Sequence, residues 1–192
     1  MTLADKITAS RLAFAPVFFV TYRCCGHFGA VPYIAMLWAL FLLIEISDLL
    51  DGLAARRNGT VSDFGKLFDP YADVFARITY FVCFALDGIM PVWVLVVILY
   101  REFSINFIRM LLAQRGIAMG ARPGGKLKSA TYMVAGAVSL ILVSVKAFTL
   151  VPAAWPSFEI AIYAIYTIAA VLAVASFADY FIQYRRLTST RS

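Results

Sequence analysis

Six mostly apolar stretches, each about as long as the roughly 20-residue helix that crosses a bilayer, limit what this chain can fold into. They run over 8–27, 31–57, 64–87, 91–115, 128–150 and 157–183. Turn chemistry separates them: Gly26 and Pro32, Asn58 and Gly59, Gly88 with Pro91, the run Arg122-Pro-Gly-Gly125, and Pro152 with Pro156. With 62% hydrophobic residues against 15% charged, and a mean hydropathy of +0.84, an ordinary soluble domain is excluded. The expected fold is all-α and integral to the membrane, six transmembrane helices in a single domain over 1–192.

The basic residues set the expected orientation. Lys6, Arg11, Arg56, Arg57, Lys66, Arg115, Arg122, Lys126, Lys128, Arg185, Arg186 and Arg191 fall near the N-terminus, the second and fourth connections or the tail. Only Arg23 and Lys146 fall on the other side. Positive residues stay in the cytoplasm, so both termini are expected there in a multi-pass protein of the cell membrane. The net charge of +6 then reflects topology and attraction to anionic membrane lipids. Nucleic acid is not an expected partner, because the basic residues are scattered over connections rather than interleaved with aromatics.

The N-terminal stretch has basic residues before the apolar run Leu12–Thr21, as a signal peptide would. Tyr22, Arg23, Cys24 and Cys25 offer no small-residue cleavage site, so the segment is expected to be retained. Residues Thr2 to Arg11 are more polar and read as a short interfacial segment along the membrane surface. Cys24, Cys25 and Cys83 have neither disulfide-framework nor zinc spacing. His27 is the only histidine, so a multi-histidine metal site is excluded. Asp63-Phe64-Gly65 and Gly120–Lys126 spell fragments of kinase and P-loop motifs. Neither has the context that gives those motifs their chemistry.

Acidic residues are few, yet Asp48, Asp51, Asp69 and Asp73 cluster at the ends of two apolar stretches. Asp48, Asp51, Gly52, Ala55 and Arg56 fall at i, i+3, i+4, i+7 and i+8, one helix face; Gly65, Asp69 and Asp73 form one face of the next. If the two helices are antiparallel neighbours, the four carboxylates converge. In a low dielectric such a cluster must take up protons or cations. All-oxygen donors favour Mg2+ or Mn2+ over zinc. Arg101 and Glu102 lie deep in the fourth apolar stretch, with Arg109 two turns along the face of Arg101. Charges at that depth either bridge helices or serve substrate. Adjacent residues face apart, so Arg101 and Glu102 are expected to find partners on other helices.

The segment Asp48–Asp73 resembles the signature of the CDP-alcohol phosphotransferases, D-x-x-D-G-x-x-A-R, eight residues, G-x-x-x-D-x-x-x-D, at all eight specified positions. That resemblance implies a six-spanning, often dimeric enzyme that moves a substituted phosphate from a CDP-linked donor to an alcohol and releases CMP. It also implies that Asp48, Asp51 and Asp69 hold divalent metal, two ions of Mg2+ or Mn2+, with Asp73 completing the set. Asp73 is a candidate base on the attacking hydroxyl; a water or the substrate phosphate could take that proton instead. Asp48, Gly52, Ala55, Arg56 and Gly65 are the implied CDP-binding residues, although Gly52 and Ala55 also suit plain small-residue helix packing. Phosphoryl transfer needs charge neutralisation and positioning, which metals on a pyrophosphate supply.

Arg101-Glu102-Phe103, Arg109, Gly125–Lys128, Lys6–Arg11 and Asp69–Asp73 are similar to the phosphatidylglycerophosphate synthase branch, with departures at Asp5, Val74 and Ser129. The similarity implies CDP-diacylglycerol as donor and a small phosphorylated alcohol, glycerol 3-phosphate, as acceptor. Arg109, Lys126 and Lys128 are the candidate acceptor-phosphate residues, with Arg101 and Glu102 supporting them. Other acceptors (inositol phosphate, serine) stay open at this point. A cation- or proton-coupled transporter predicts carboxylates at mid-bilayer on broken or repeated helices. The acids here sit near one face, and no repeat is evident.

Overall fold

The computed structural model describes residues 3–58, 63–114, 116–117, 123–150 and 155–189, with side chains for all of these except 3–6, 48–58, 63–67, 123–124, 126 and 188–189. Among the described residues all regular structure is helical. The long helices are α1 (Leu3–Cys24), α2 (Ala30–Asn58), α3 (Asp63–Leu86), α4 (Val92–Gln114), α5 (Pro123–Ala147) and α6 (Trp155–Ser189). A 3₁₀ turn, Gly26–Phe28, joins α1 to α2.

Local chemistry sets several of these ends. Pro32, Pro123 and Pro156 stand in the first turns of α2, α5 and α6, where an N–H has no intrahelical partner to lose. After α3, Gly88 turns the chain with φ +69°. The amides of Ile89 and Met90 then bond back to the Phe84 carbonyl at 2.9 and 3.1 Å, satisfying an acceptor that the helix end would otherwise orphan.

The expected interfacial segment is not a separate element, because α1 runs unbroken from Leu3 to Cys24. Two polar residues of its first half are turned inward: Thr8 is 0% and Arg11 1% exposed. Acids on α3 bind them there, so they have no call to lie along a membrane surface.

Among the described residues three helices are apolar and long enough to cross a membrane by composition alone, over Ala30–Ser47, Leu127–Ala147 and Trp155–Leu187. Helices α1, α3 and α4 carry charged residues within their length, among them the buried Arg11, Arg77, Arg101 and Glu102. The outer surface is apolar, with Phe103 60%, Val171 62% and Ile160 71% exposed. A water-soluble bundle would not present so much.

Helix α1 packs on α2 and α3; α3 also meets α4 and α5; α4 and α5 both pack on α6; and α2 meets α5. The core is a lattice of aromatic rings. Tyr80 lies within 6.3 Å of Phe18, 5.5 Å of Phe41, 4.9 Å of Phe81 and 6.0 Å of Phe84, centroid to centroid. Phe81 continues to Tyr132 and Tyr166. In lipid such packing stabilises through contact and fit, since the tails outside are as apolar as the core. Gly136 of α5 makes the lattice possible: a Cβ there would stand 2.9 Å from Phe41 Cε2 and 3.2 Å from Tyr80 Cε2.

Candidate active site

Asp69, Asp73 and Arg77 follow one another at i, i+4 and i+8 along one face of α3. Asp69 Oδ1 accepts a hydrogen bond from Thr8 Oγ1 at 2.5 Å. Asp73 forms an ion pair with Arg11. Arg77 reaches Glu45 of α2 at 3.6 Å and donates to Ser129 Oγ of α5 at 3.4 Å. Tyr80 donates to the other Glu45 oxygen at 3.1 Å. Helix α3 is thus tied through polar groups to α1, α2 and α5.

The second polar group stands on α4, α5 and α6. Glu102 accepts from Arg101 at 2.8 Å and from Lys128 of α5 at 2.5 Å. Arg101 also donates to Ser176 Oγ of α6 at 2.8 Å. Arg101 and Glu102 thus find the partners expected on other helices, Ser176 of α6 and Lys128 of α5, and in addition pair with each other, which the divergence of adjacent side chains did not suggest. Their Cβ atoms diverge, but the arginine stem is long enough to fold its guanidinium back to the neighbouring carboxylate. Arg109, two turns on, donates to Tyr180 OH of α6 at 2.9 Å.

The two groups face one cavity of about 470 Å³. Asp69, Asp73 and Glu45 line its α2–α3 side, with Arg77 among them; Arg101, Glu102, Arg109, Lys128 and Tyr180 line the side formed by α4, α5 and α6. Carboxylates thus stand opposite a mostly cationic wall.

Of the sequence-predicted site residues, Asp69, Asp73, Arg101, Glu102, Arg109 and Lys128 meet at this cavity. Asp48, Asp51, Gly52, Ala55 and Arg56 lie on the α2 helix, Gly65 on α3 and Lys126 on α5, and their side chains fall outside the described residues. Among the described residues no group of three or more metal-ligating side chains occurs. Asp69 and Asp73 nevertheless fit a hard divalent cation: both offer oxygen donors one turn apart to the same cavity. Thr8, Arg11, Glu45, Arg77 and Tyr180 were not anticipated as site residues. Arg77 continues the period of Asp69 and Asp73, and Glu45 precedes Asp48 by three on its face, so both carried a readable signal. Tyr180 carried none.

Residues 1–171 match the family model described as CDP-alcohol phosphatidyltransferase. This chain belongs to that family. Its similarity to individual CDP-alcohol phosphatidyltransferases is extensive. It is 43% identical to the CDP-diacylglycerol--glycerol-3-phosphate 3-phosphatidyltransferase of Treponema pallidum (strain Nichols), over 94% of this chain and 88% of that protein. It is 30% identical to the protein of the same name from Bacillus subtilis (strain 168), over 93% of both chains. A probable phosphatidylglycerophosphate synthase of Mycobacterium tuberculosis (strain ATCC 25618 / H37Rv) is 36% identical over 73% of this chain and 65% of its own. The matched family segment contains the α3 carboxylates and the α4–α5 cations of the cavity; Ser176 and Tyr180 lie beyond it.

Proposed function

We infer that this CDP-alcohol phosphatidyltransferase moves the phosphatidyl group of CDP-diacylglycerol to glycerol 3-phosphate, giving phosphatidylglycerophosphate and CMP. The observation that carries the reading is the single cavity in which Asp69 and Asp73 stand opposite Arg109 and Lys128. The names of the relatives support the same donor and acceptor.

Asp69 and Asp73, with Asp48 and Asp51 from α2, would hold two Mg2+ or Mn2+ ions. When bound, the metal neutralises the donor diphosphate and stabilises the charge on the departing CMP. Gly52, Ala55, Arg56 and Gly65 receive the cytidine nucleotide, where the missing side chain of Gly52 lets it approach the main chain. Arg109, Lys126 and Lys128 hold the acceptor phosphate; a zwitterion such as serine would not need so much positive charge. Arg101 and Glu102 brace that wall, Glu102 using one oxygen on Arg101 and the other on Lys128. The acceptor hydroxyl oxygen bonds to the phosphatidyl phosphorus, the bond from that phosphorus to the CMP oxygen breaks, and Asp73 takes the hydroxyl proton.

All six helices cross the cell membrane in this reading, with both termini and the cavity at the cytoplasmic face, and the enzyme is a homodimer. Arg11, Arg77, Arg101 and Glu102, among the charged residues that set α1, α3 and α4 apart, support it, because they are buried in the bundle rather than turned to lipid. The deciding experiment supplies purified enzyme with CDP-diacylglycerol and one acceptor at a time. CMP release with glycerol 3-phosphate, and not with serine, inositol phosphate or glycerol, is expected; release with one of the others instead overturns the acceptor assignment.

A further inference from the structure

Four described cations line the cavity: Arg77, Arg101, Arg109 and Lys128. Arg77 has Glu45 within ion-pair distance, and Glu102 serves both Arg101 and Lys128. Among the described residues Arg109 alone of the four meets no carboxylate. Its hydrogen-bond partner is a neutral phenol, the Tyr180 hydroxyl at 2.9 Å, and its Nε is buried without a partner.

Tyr180 is 2% exposed and serves more than one arginine. The Arg101 and Arg109 guanidinium carbons lie 5.7 and 5.5 Å from its ring centroid. Both are within cation–π range of one ring, so α6 holds two arginines of α4 at a set spacing. The hydroxyl also abuts the start of α5, since a Cβ on Gly125 would lie 3.9 Å from it. A carboxylate in this place would fix Arg109 equally well but cancel its charge. A phenol fixes the direction of the guanidinium and leaves the full positive charge for an incoming anion.

We propose that Tyr180 is a positioning residue for the acceptor: it holds Arg109 oriented and uncompensated, ready to pair with the phosphomonoester of the incoming alcohol. The proposal rests on the assignment of a phosphorylated acceptor made above. A ring that merely filled space would affect both substrates alike, whereas a positioning role affects the acceptor alone.

The test uses full-length enzyme in detergent with CDP-diacylglycerol and glycerol 3-phosphate, comparing Tyr180→Phe, Arg109→Gln and the double variant. Tyr180→Phe keeps the ring and removes the hydroxyl. It should raise KM for glycerol 3-phosphate about tenfold while kcat and KM for CDP-diacylglycerol stay within about twofold. In the Arg109→Gln background the same change should add less than about twofold, because its target is already gone. An unchanged acceptor KM, an equal rise in both KM values, or a full effect surviving in the Arg109→Gln background overturns the proposal. Should Tyr180→Phe not fold, Arg109→Lys keeps the charge but loses the planar guanidinium; an acceptor KM like the wild type's would then sink it. Wild-type enzyme that releases no CMP with glycerol 3-phosphate is a separate result, and marks the failure of the acceptor assignment.

Discussion

Arg11 stands behind Asp73: the two form an ion pair in which the arginine side chain is 1% exposed and the aspartate, which lines the cavity, 23%. The cation is structural in position and the anion is presented. Removing Arg11 takes away Asp73's partner and empties a fully buried site of a large side chain that packs as well as pairs. Arg11→Ala should therefore lower the unfolding temperature of the purified protein clearly, and an unchanged melting curve would show that the pair contributes little.

Replacing Asp69 or Asp73 by Asn preserves size and removes the charge that a divalent cation needs. Each variant should lose turnover by about a thousandfold or more, because the charge that offsets the reacting phosphates is gone. Asp69→Asn should remain as helical and extractable as the parent, whereas Asp73→Asn, which strips the buried Arg11 of that ion pair, should also melt lower. CMP release and circular dichroism on the same sample check this. Retained activity in Asp69→Asn would refute its role at the metal.

Chelation should stop CMP release by the wild-type enzyme, and Mg2+ or Mn2+ should restore it. Hard oxygen donors bind these ions in preference to softer ones. Full activity after exhaustive chelation, with metal content verified by elemental analysis, would contradict the assignment.

Gly136 cannot accept a side chain without moving Phe41 or Tyr80. Gly136→Ala inserts a methyl group where ring edges already stand, and overpacking of that kind destabilises by about 1–3 kcal/mol. Chemical or thermal unfolding in detergent measures it, and a variant as stable as the parent would mean that the rings shift freely.

Reporter fusions at residue 1 and residue 192 should both report the cytoplasm, and a fusion in the Asp87–Pro91 connection the opposite side. A split result at the two termini would exclude an even number of crossings.

The helices were legible because apolar length and turn chemistry are local: α2, α3 and α4 begin and end within one residue of the expected bounds, while α1, α5 and α6 run up to six residues beyond them where polar residues continue the helix. The pairing of Asp69 with Asp73 was legible for the same reason, since i and i+4 need no knowledge of the fold. Thr8, by contrast, meets Asp69 across 61 residues, and nothing near Thr8 announces the partner. That is why Thr8 and Arg11 read as part of an interfacial segment when they are bound inside. Arg101 and Glu102 have the interhelical partners their spacing called for; their added contact with each other was not legible, because Cβ direction is not decisive for a side chain long enough to bend back. Tyr180 was invisible because a tyrosine in an apolar stretch has many uses, and only the arrival of two α4 arginines gives this one a purpose.

Tyr80 belongs to two neighbourhoods at once: its ring is locked among Phe18, Phe41, Phe81 and Phe84, and its hydroxyl holds Glu45 at the cavity edge. The greasy half of the molecule and its charged half therefore meet in one side chain. A substitution far from any substrate, made among the phenylalanines, reaches Glu45 and then Arg77 in two steps, so robustness of the bundle and alignment of its chemistry cannot drift apart independently.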